Sequence, residues 1–396
     1  MAIHGQLSSI FKTVFVTVIS SLFFCYWLVQ LSLFNVLQPY YIDKFEITNY
    51  GLFLSSYLMT NLVMCLPAGI IIERFQIKVI TLLGFAMFIV ANLILYFSNV
   101  LLFAYLALVI MGFASAFTLT SSAKLLSMLL TSKQAQVAVA SVISIAFISA
   151  IVSGVSAGFL YVYSGSGDLV VILNLILGAT LFLIVLAFYP SLKCQCFKRV
   201  SLGTMFKKVL NNKINWCVWI YMSTINFPFT IIAFSFGQSL LREFYNYNPY
   251  MLTVANNLII AGFIMGGPVF NFLLSKYRHG VMLYPISAIG CIGGCIALLN
   301  QLPYIILMID MFLIGAFASA QMLGYATLLK QNNDKSVSAA VAMASLVITL
   351  GSIVNEVSFG TLSVHYSYYI AFVVLTLMLS IAIVVGVLIS LNQKNK

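Results

Sequence analysis

Charge is what this sequence has least of. Only 7% of its 396 residues are Asp, Glu, Lys or Arg, and the acidic residues number eight. A water-soluble domain covers itself with roughly 25% charged residues, so a chain of this size cannot present most of its surface to water. Histidine is as scarce. His4, His279 and His365 are the full set, all near termini or loops, which leaves no histidine relay. An enzyme would need acids, bases and nucleophiles converging near one membrane face, and here they are too few and too scattered. The seven cysteines supply no metal framework either. Cys25, Cys65, Cys217, Cys291 and Cys295 lie inside apolar segments, where a free thiol behaves as a small hydrophobe. Cys194 and Cys196 form a C-x-C without a second pair or a nearby histidine. No metal or cofactor is expected.

What is present in excess is hydrophobic length. Apolar residues make up 62% of the chain and the mean hydropathy is +1.09. A span of hydrocarbon takes about 20 apolar residues. Apolar runs separated by polar breaks lie at 14–37, 50–72, 77–97, 101–128, 137–160, 168–189, 215–239, 250–274, 281–299, 303–329, 337–361 and 367–391. The expected fold class is therefore an all-α polytopic membrane protein of about twelve helices. The first run is too long for the h-region of a cleaved signal peptide and lacks a convincing cleavage site.

The longest polar interruption divides the spans six and six. It predicts an N-terminal six-helix bundle over 1–189, a basic linker over 190–214 and a C-terminal bundle over 215–396. The linker carries Lys193, Lys198, Arg199, Lys207, Lys208 and Lys213. Placing it and both termini in the cytoplasm puts all but Lys44 and Arg242 of the 19 basic residues on that side, as the positive-inside rule requires. The net charge of +11 thus reads as membrane topology, not as nucleic-acid binding, since no basic stripe with interleaved aromatics exists. The expected location is the cell inner membrane, and the expected state a monomer.

The two halves repeat. Phe113-Ala-Ser-Ala116 returns as Phe317-Ala-Ser-Ala320, and Ser141 as Ser345, both 204 residues on. Gly154-Val-Ser-Ala-Gly158 aligns with Glu356-Val-Ser-Phe-Gly360, and Glu73-Arg74 with Ser275-Lys276, both 202 on. Four ordered matches at nearly one offset imply two parallel six-helix repeats, a design that lets one half rock against the other.

Between the second and third spans stands Gly69-Ile-Ile-Ile-Glu73-Arg74-Phe-Gln-Ile-Lys78. It resembles the G-x-x-x-D-R-x-G-R-K loop motif of the major facilitator superfamily, with Glu for Asp and Gln76 for the second Gly. Asn271-Phe-Leu-Leu-Ser275-Lys276 is a more decayed second copy. The resemblance implies a secondary transporter in which Gly69 permits close helix approach and Glu73, Arg74, Lys78, Ser275 and Lys276 form a cytoplasmic latch. Ordinary interfacial charge is the plainer account of the same residues. Within the superfamily, Leu66-Pro67-Ala-Gly69, Gly112-Phe-Ala-Ser-Ala-Phe and Gly266-Gly267-Pro268-Val-Phe are similar to the phagosomal nutrient transporters of intracellular bacterial pathogens. Relatives of that kind carry an Arg in the first span where this chain has Gln30, so an anionic substrate is disfavoured. Drug antiporters carry G-x-x-x-G-P in the fifth span, whereas Gly158 is followed here by Phe159.

Two carboxylates fall inside spans. Asp310 lies seven residues past Pro303, about 10 Å into the membrane at 1.5 Å per residue. Glu356 lies at a similar depth in the eleventh span. An intramembrane carboxylate costs about 2.5–3.5 kcal/mol, so it needs a partner or a wet cavity. Both are candidates for carrying a coupling proton, with a purely structural pairing as the alternative. Glu356 is the stronger candidate because its repeat partner is Gly154. Tyr26, Gln30, Lys124, Asn226, Asn256 and Gln321 are candidates for a substrate cavity, with Asn35 and Gln38 further along the first span. Interhelical hydrogen bonding explains any one of the polar groups equally well, and Lys124 has the further option of snorkelling to the cytoplasmic surface. Asn226-Phe227-Pro228 predicts a kink whose freed carbonyls can line a site. The expected function is uptake of a small polar metabolite such as an amino acid, driven by a proton gradient. Export of a siderophore or drug-like compound and a non-transporting sensor are the alternatives.

Overall fold

The computed structural model of the chain describes residues 2–191, 209–276, 282–332 and 334–394. The regular structure of these residues is helical throughout. Nine helices among them are long and apolar enough to cross a membrane, and a tenth span is a bent pair, Lys213–Ile225 with Phe229–Phe244. Two shorter apolar helices, Tyr50–Cys65 and Leu283–Leu298, stand where the second and ninth spans were expected. Large apolar side chains such as Leu102, Ile176, Phe188 and Ile305 are exposed on these helices, which suits hydrocarbon and not water.

The chain divides into two compact units. The first comprises Met1–Leu33, Tyr40–Ile47 and Ser56–Lys198, the second Phe34–Pro39, Thr48–Ser55 and Arg199–Lys396. The chain begins with α1 (Ala2–Val36), the short α2 (Gln38–Phe45) and α3 (Tyr50–Arg74), of which residues 34–39 and 48–55 fall in the second unit and the rest in the first. There follow α4 (Ile77–Phe97), α5 (Leu101–Ser115), α6 (Thr118–Leu129), α7 (Ser132–Ser164) and α8 (Gly167–Phe188). Helix α4 packs along α5 and α8, while α7 packs on α6 and α8. A capping box in which Thr131 and Gln134 satisfy each other's end of the first turn starts α7. Most of the expected linker, with Cys194 and Cys196, lies outside the described residues.

In the second unit, α9 (Lys213–Ile225) opens with Asn212 accepting a bond from Ile214 N at 3.1 Å. A π-helical segment (Phe229–Phe236) and α10 (Gly237–Phe244) complete that span, bent by 42° from α9. The kink expected at Asn226-Phe227-Pro228 is therefore present. Then come α11 (Pro249–Lys276), α12 (Leu283–Leu298), α13 (Tyr304–Ala318), α14 (Gln321–Gln331), α15 (Asp334–His365), α16 (Tyr368–Met378) and α17 (Ser380–Lys394). The π-helical segment packs on α11, α13 and α15.

The repeat read from the sequence has a structural counterpart inside each unit. The fourth span breaks between α5 and α6, and the tenth between α13 and α14, both within the repeated Phe-Ala-Ser-Ala. Ser115 donates to Gly112 O at 2.7 Å, and Ser319 to Ala316 O at 2.6 Å. The same back-bond thus occurs at positions 204 apart. Glycine recurs too: a Cβ at Gly112 would collide with Tyr57 O, and one at Gly315 with Ile259 O. In each unit a glycine lets one span lie directly on the backbone of another.

Candidate functional site

The first unit places two of the sequence candidates in a closed network. Tyr26 and Gln30 sit one turn apart on α1, both buried. Gln30 Nε2 donates to Asn174 Oδ1 at 3.0 Å, and Gln30 Oε1 accepts from Asn92 Nδ2 and Asn174 Nδ2, each at 3.1 Å. Asn174 also donates to Asn92 Oδ1 at 3.0 Å, and Tyr26 donates to Asn174 O at 3.2 Å. Three amides from α1, α4 and α8 therefore satisfy one another, and Phe85 and Phe88 pack around Tyr26. Asn92 and Asn174 carry no signal in the sequence beyond being polar in apolar runs. A Gln30→Leu variant leaves both partners with unfilled bonds and should lose about 1–2 kcal/mol of stability. Unchanged solute affinity in a thermally weakened variant would identify the ring as structural; lost affinity at unchanged stability would put Gln30 in the binding site.

Two cavities open in this unit. One of about 600 Å³ lies between α1 and α7, lined by Thr13, Thr17, Gln134 and Ser141 among valines. The other, about 470 Å³, is walled by Tyr40, Lys44, Tyr96, Asn99 and Asp168. Lys44 donates to Tyr96 O at 2.7 Å and to Tyr40 Oη at 3.0 Å, and stands 3.8 Å from Asp168. Burial pulls its ammonium below the usual lysine range against the pull of Asp168, while burial and then Asp168 hold the Tyr40 phenol above its own. No sequence candidate lines either cavity. Lys124 is half-buried on α6.

The second unit gathers a larger polar cluster around the π-helical segment. A π turn withdraws carbonyls from the ordinary helical ladder, and Asn35 answers two of them. Its Nδ2 donates to Ile232 O at 2.9 Å and to Ala233 O at 2.7 Å, while its Oδ1 accepts from Gln238 N at 3.1 Å. Ser235, in the same segment, donates to Glu356 Oε1 at 2.7 Å. Gln38 accepts from Ser239 at 2.8 Å and donates to Tyr368 Oη at 3.3 Å. Glu356 is 4% exposed, and its backbone oxygen lies so close to Gly51 that no side chain fits there.

The cluster is incompletely satisfied. Among the described residues, Glu356 Oε2, Asn256 Oδ1 and Gln238 Nε2 are buried without hydrogen-bond partners. A Cβ at Gly237 would strike Asn256 Oδ1, so that oxygen points at the end of the π turn. Asp310 stands apart on α13, over Gly294, with its own Oδ2 unpartnered. Thr376 Oγ1 is also buried without a hydrogen-bond partner among the described residues. Such atoms are costly in a dry interior unless a ligand, a water or a proton completes them.

The comparisons with known proteins bear on what these helices are for. A family model described as the Major Facilitator Superfamily matches residues 18–299. The chain belongs to the major facilitator superfamily. It is a multi-pass membrane transporter and not an enzyme. No curated protein matches the sequence. A bacterial homologue of the human lysosomal transporter Spinster, in an inward-facing, unoccupied conformation, is 14% identical with a TM-score of 0.73, covering 96% of this chain and 97% of its own. The nucleoside transporter NupG is 16% identical with a TM-score of 0.71, covering 95% and 98%. At these identities the likeness is one of fold.

Of the residues that the superfamily loop motif points to, Arg74 and Lys276 are exposed at helix ends and Lys78 is half-buried at the start of α4. A Cβ at Gly69 would meet no atom of the described residues within 4 Å. The side chains of Glu73 and Ser275 lie outside the described residues. Asn226 caps α9, its carbonyl accepting from Thr230 N at 3.0 Å. Gln321 is buried at the first position of α14. Sequence reasoning found Glu356, Asn256 and Asn35 but not Ser235 or Gln238. One more serine in an apolar run gives no signal until the π turn aims it at a carboxylate.

Proposed function

We propose that this superfamily member is an alternating-access carrier that couples uptake of a small, polar, non-anionic metabolite to the proton gradient, with Glu356 as the coupling carboxylate. The observation that carries the reading is a buried acid with one oxygen held by Ser235 and the other unpartnered. Such a group can take and release a proton without breaking a salt bridge. Gln238 Nε2 and Asn256 Oδ1 supply an unused donor and acceptor in the same unit, which suits a small neutral or zwitterionic solute. Amino acids are the first class to test and nucleosides the second. The basic residues support a cytoplasmic side for both termini, in the inner membrane of the cell.

Purified protein is screened by thermal shift against neutral amino acids, nucleosides and siderophores, and hits are followed as uptake into proteoliposomes. The expected result is saturable uptake that rises when the outside is made acidic. Uptake indifferent to the proton gradient would overturn the coupling, and no saturable uptake of any hit would favour a sensor.

A further inference from the structure

Ser235 Oγ has two acceptors in reach and one hydrogen to give. It lies 2.7 Å from Glu356 Oε1 and 3.3 Å from Thr230 O, the carbonyl five residues back in its own π turn. Thr230 is in turn tied to the bend, its hydroxyl reaching Phe227 O at 3.1 Å and Asn226 O at 3.3 Å. We propose that Ser235 is a positioning residue through which the protonation state of Glu356 sets the geometry of the π-helical segment. The proposal rests on Glu356 being the coupling carboxylate.

The hydrogen bonds balance in both states. With Glu356 ionised, the carboxylate takes the Ser235 hydrogen in a charge-assisted bond, and Thr230 O is left with the longer contact. When a proton from water loads Glu356, the carboxyl becomes a donor to Ser235 Oγ. The Ser235 hydrogen is then free to turn to Thr230 O, closing the π turn on itself. No covalent bond changes; one hydroxyl reverses direction. Asn35 holds the other side of the turn through Ile232, Ala233 and Gln238, so the change falls on the Ser235 side. A π turn is a place where a helix can re-register at small cost.

Among the described residues no ion pair reaches Glu356. Of the titratable groups on the elements packed against it, three phenols are engaged: Tyr50 donates to Phe34 O, Tyr221 to Tyr284 O, and Tyr368 accepts from Gln38. Cys217 is half-buried on α9 and Tyr369 is exposed on α16. Tyr325 is half-buried on α14. Lys213, Lys330 and His365 are exposed at helix ends. Glu356 is thus the acid that the Ser235 hydroxyl can report.

The test needs no substrate, since its probe is the proton. Hydrogen–deuterium exchange of the full chain in nanodiscs is compared at about pH 5.5 and about pH 8.5, corrected for the chemical exchange rate. Peptides covering 229–237 should be protected at least about threefold more at the acid pH. That difference should vanish in Ser235→Ala and in Glu356→Gln. If it persists in Ser235→Ala but not in Glu356→Gln, Ser235 is not the link while Glu356 keeps its role. If it persists in Glu356→Gln, another group titrates and the parent reading falls with the proposal. No difference in the wild type overturns the switch alone. Should Ser235→Ala fold poorly, Ser235→Cys, which keeps the volume with a weak donor, carries the same comparison: a wild-type difference in it overturns the proposal, and a reduced one supports it.

Discussion

Glu356→Gln is expected to abolish concentrative uptake while leaving exchange of solute across the membrane nearly intact. Glutamine reproduces the shape of the protonated carboxyl and removes its titration. Exchange needs loading and reorientation but no proton release, so it survives. Net uptake requires the proton to leave on the inside, and that step is gone. One pH unit is worth about 1.4 kcal/mol, so a one-proton carrier at equilibrium with that gradient concentrates solute about tenfold. The Gln variant should stay near unity. A structural role predicts a different pattern, with exchange and accumulation falling together alongside thermal stability. A folded Gln variant that still accumulates solute would transfer the question to Asp310, whose Oδ2 is the other unpartnered intramembrane carboxylate oxygen among the described residues.

The second large effect is expected at Asn35. Its amide makes three bonds to the π-helical span, two to carbonyls that the turn has freed and one from Gln238 N. Asn35→Leu strips all three at a buried position. Buried unsatisfied groups cost about 1–3 kcal/mol each, while measured membrane hydrogen bonds average about 0.6, so a loss of about 2–4 kcal/mol is expected. Gln38→Leu supplies the contrast. Its partners are the hydroxyls of Ser239 and Tyr368, which can rotate to other acceptors, so about 1 kcal/mol or less is expected. Thermal unfolding of the two variants checks the order. Equal losses would mean that the carbonyls of the π turn find other donors and that Asn35 is no clamp.

Much of the fold was legible because hydrocarbon imposes a coarse code. Apolar runs of span length gave the helices, while the topology expected from lysine placement remains a proposal. The repeated Phe-Ala-Ser-Ala was legible as a repeat, but that the fourth and tenth spans break there, with Ser115 and Ser319 each turning back on their own helix, was not. Asn226-Phe227-Pro228 announced the bend in the seventh span, because proline removes a donor and the residue before it avoids the helical region.

The site was legible only in part. Glu356 stood out through charge and through the break in symmetry opposite Gly154. Gln30, Asn35 and Gln38 looked alike on paper, spaced along one helix. The structure separates them: Gln30 closes an amide ring in the first unit, whereas Asn35 and Gln38 serve the π-helical span in the second. Sequence spacing shows which residues share a helix, but their partners come from other helices. A π turn also has no reliable sequence signature, so the carbonyls to which Asn35 donates could not be foreseen.

The coupling claim is tested most directly by following protons. Proteoliposomes holding a pH-sensitive dye are given a transported solute outside, with no initial pH gradient. The account predicts that wild-type protein acidifies the interior as solute enters, about one proton per solute molecule, and that Glu356→Gln vesicles exchange solute without acidifying. Solute entry without proton movement, or the same acidification in Glu356→Gln, would contradict it.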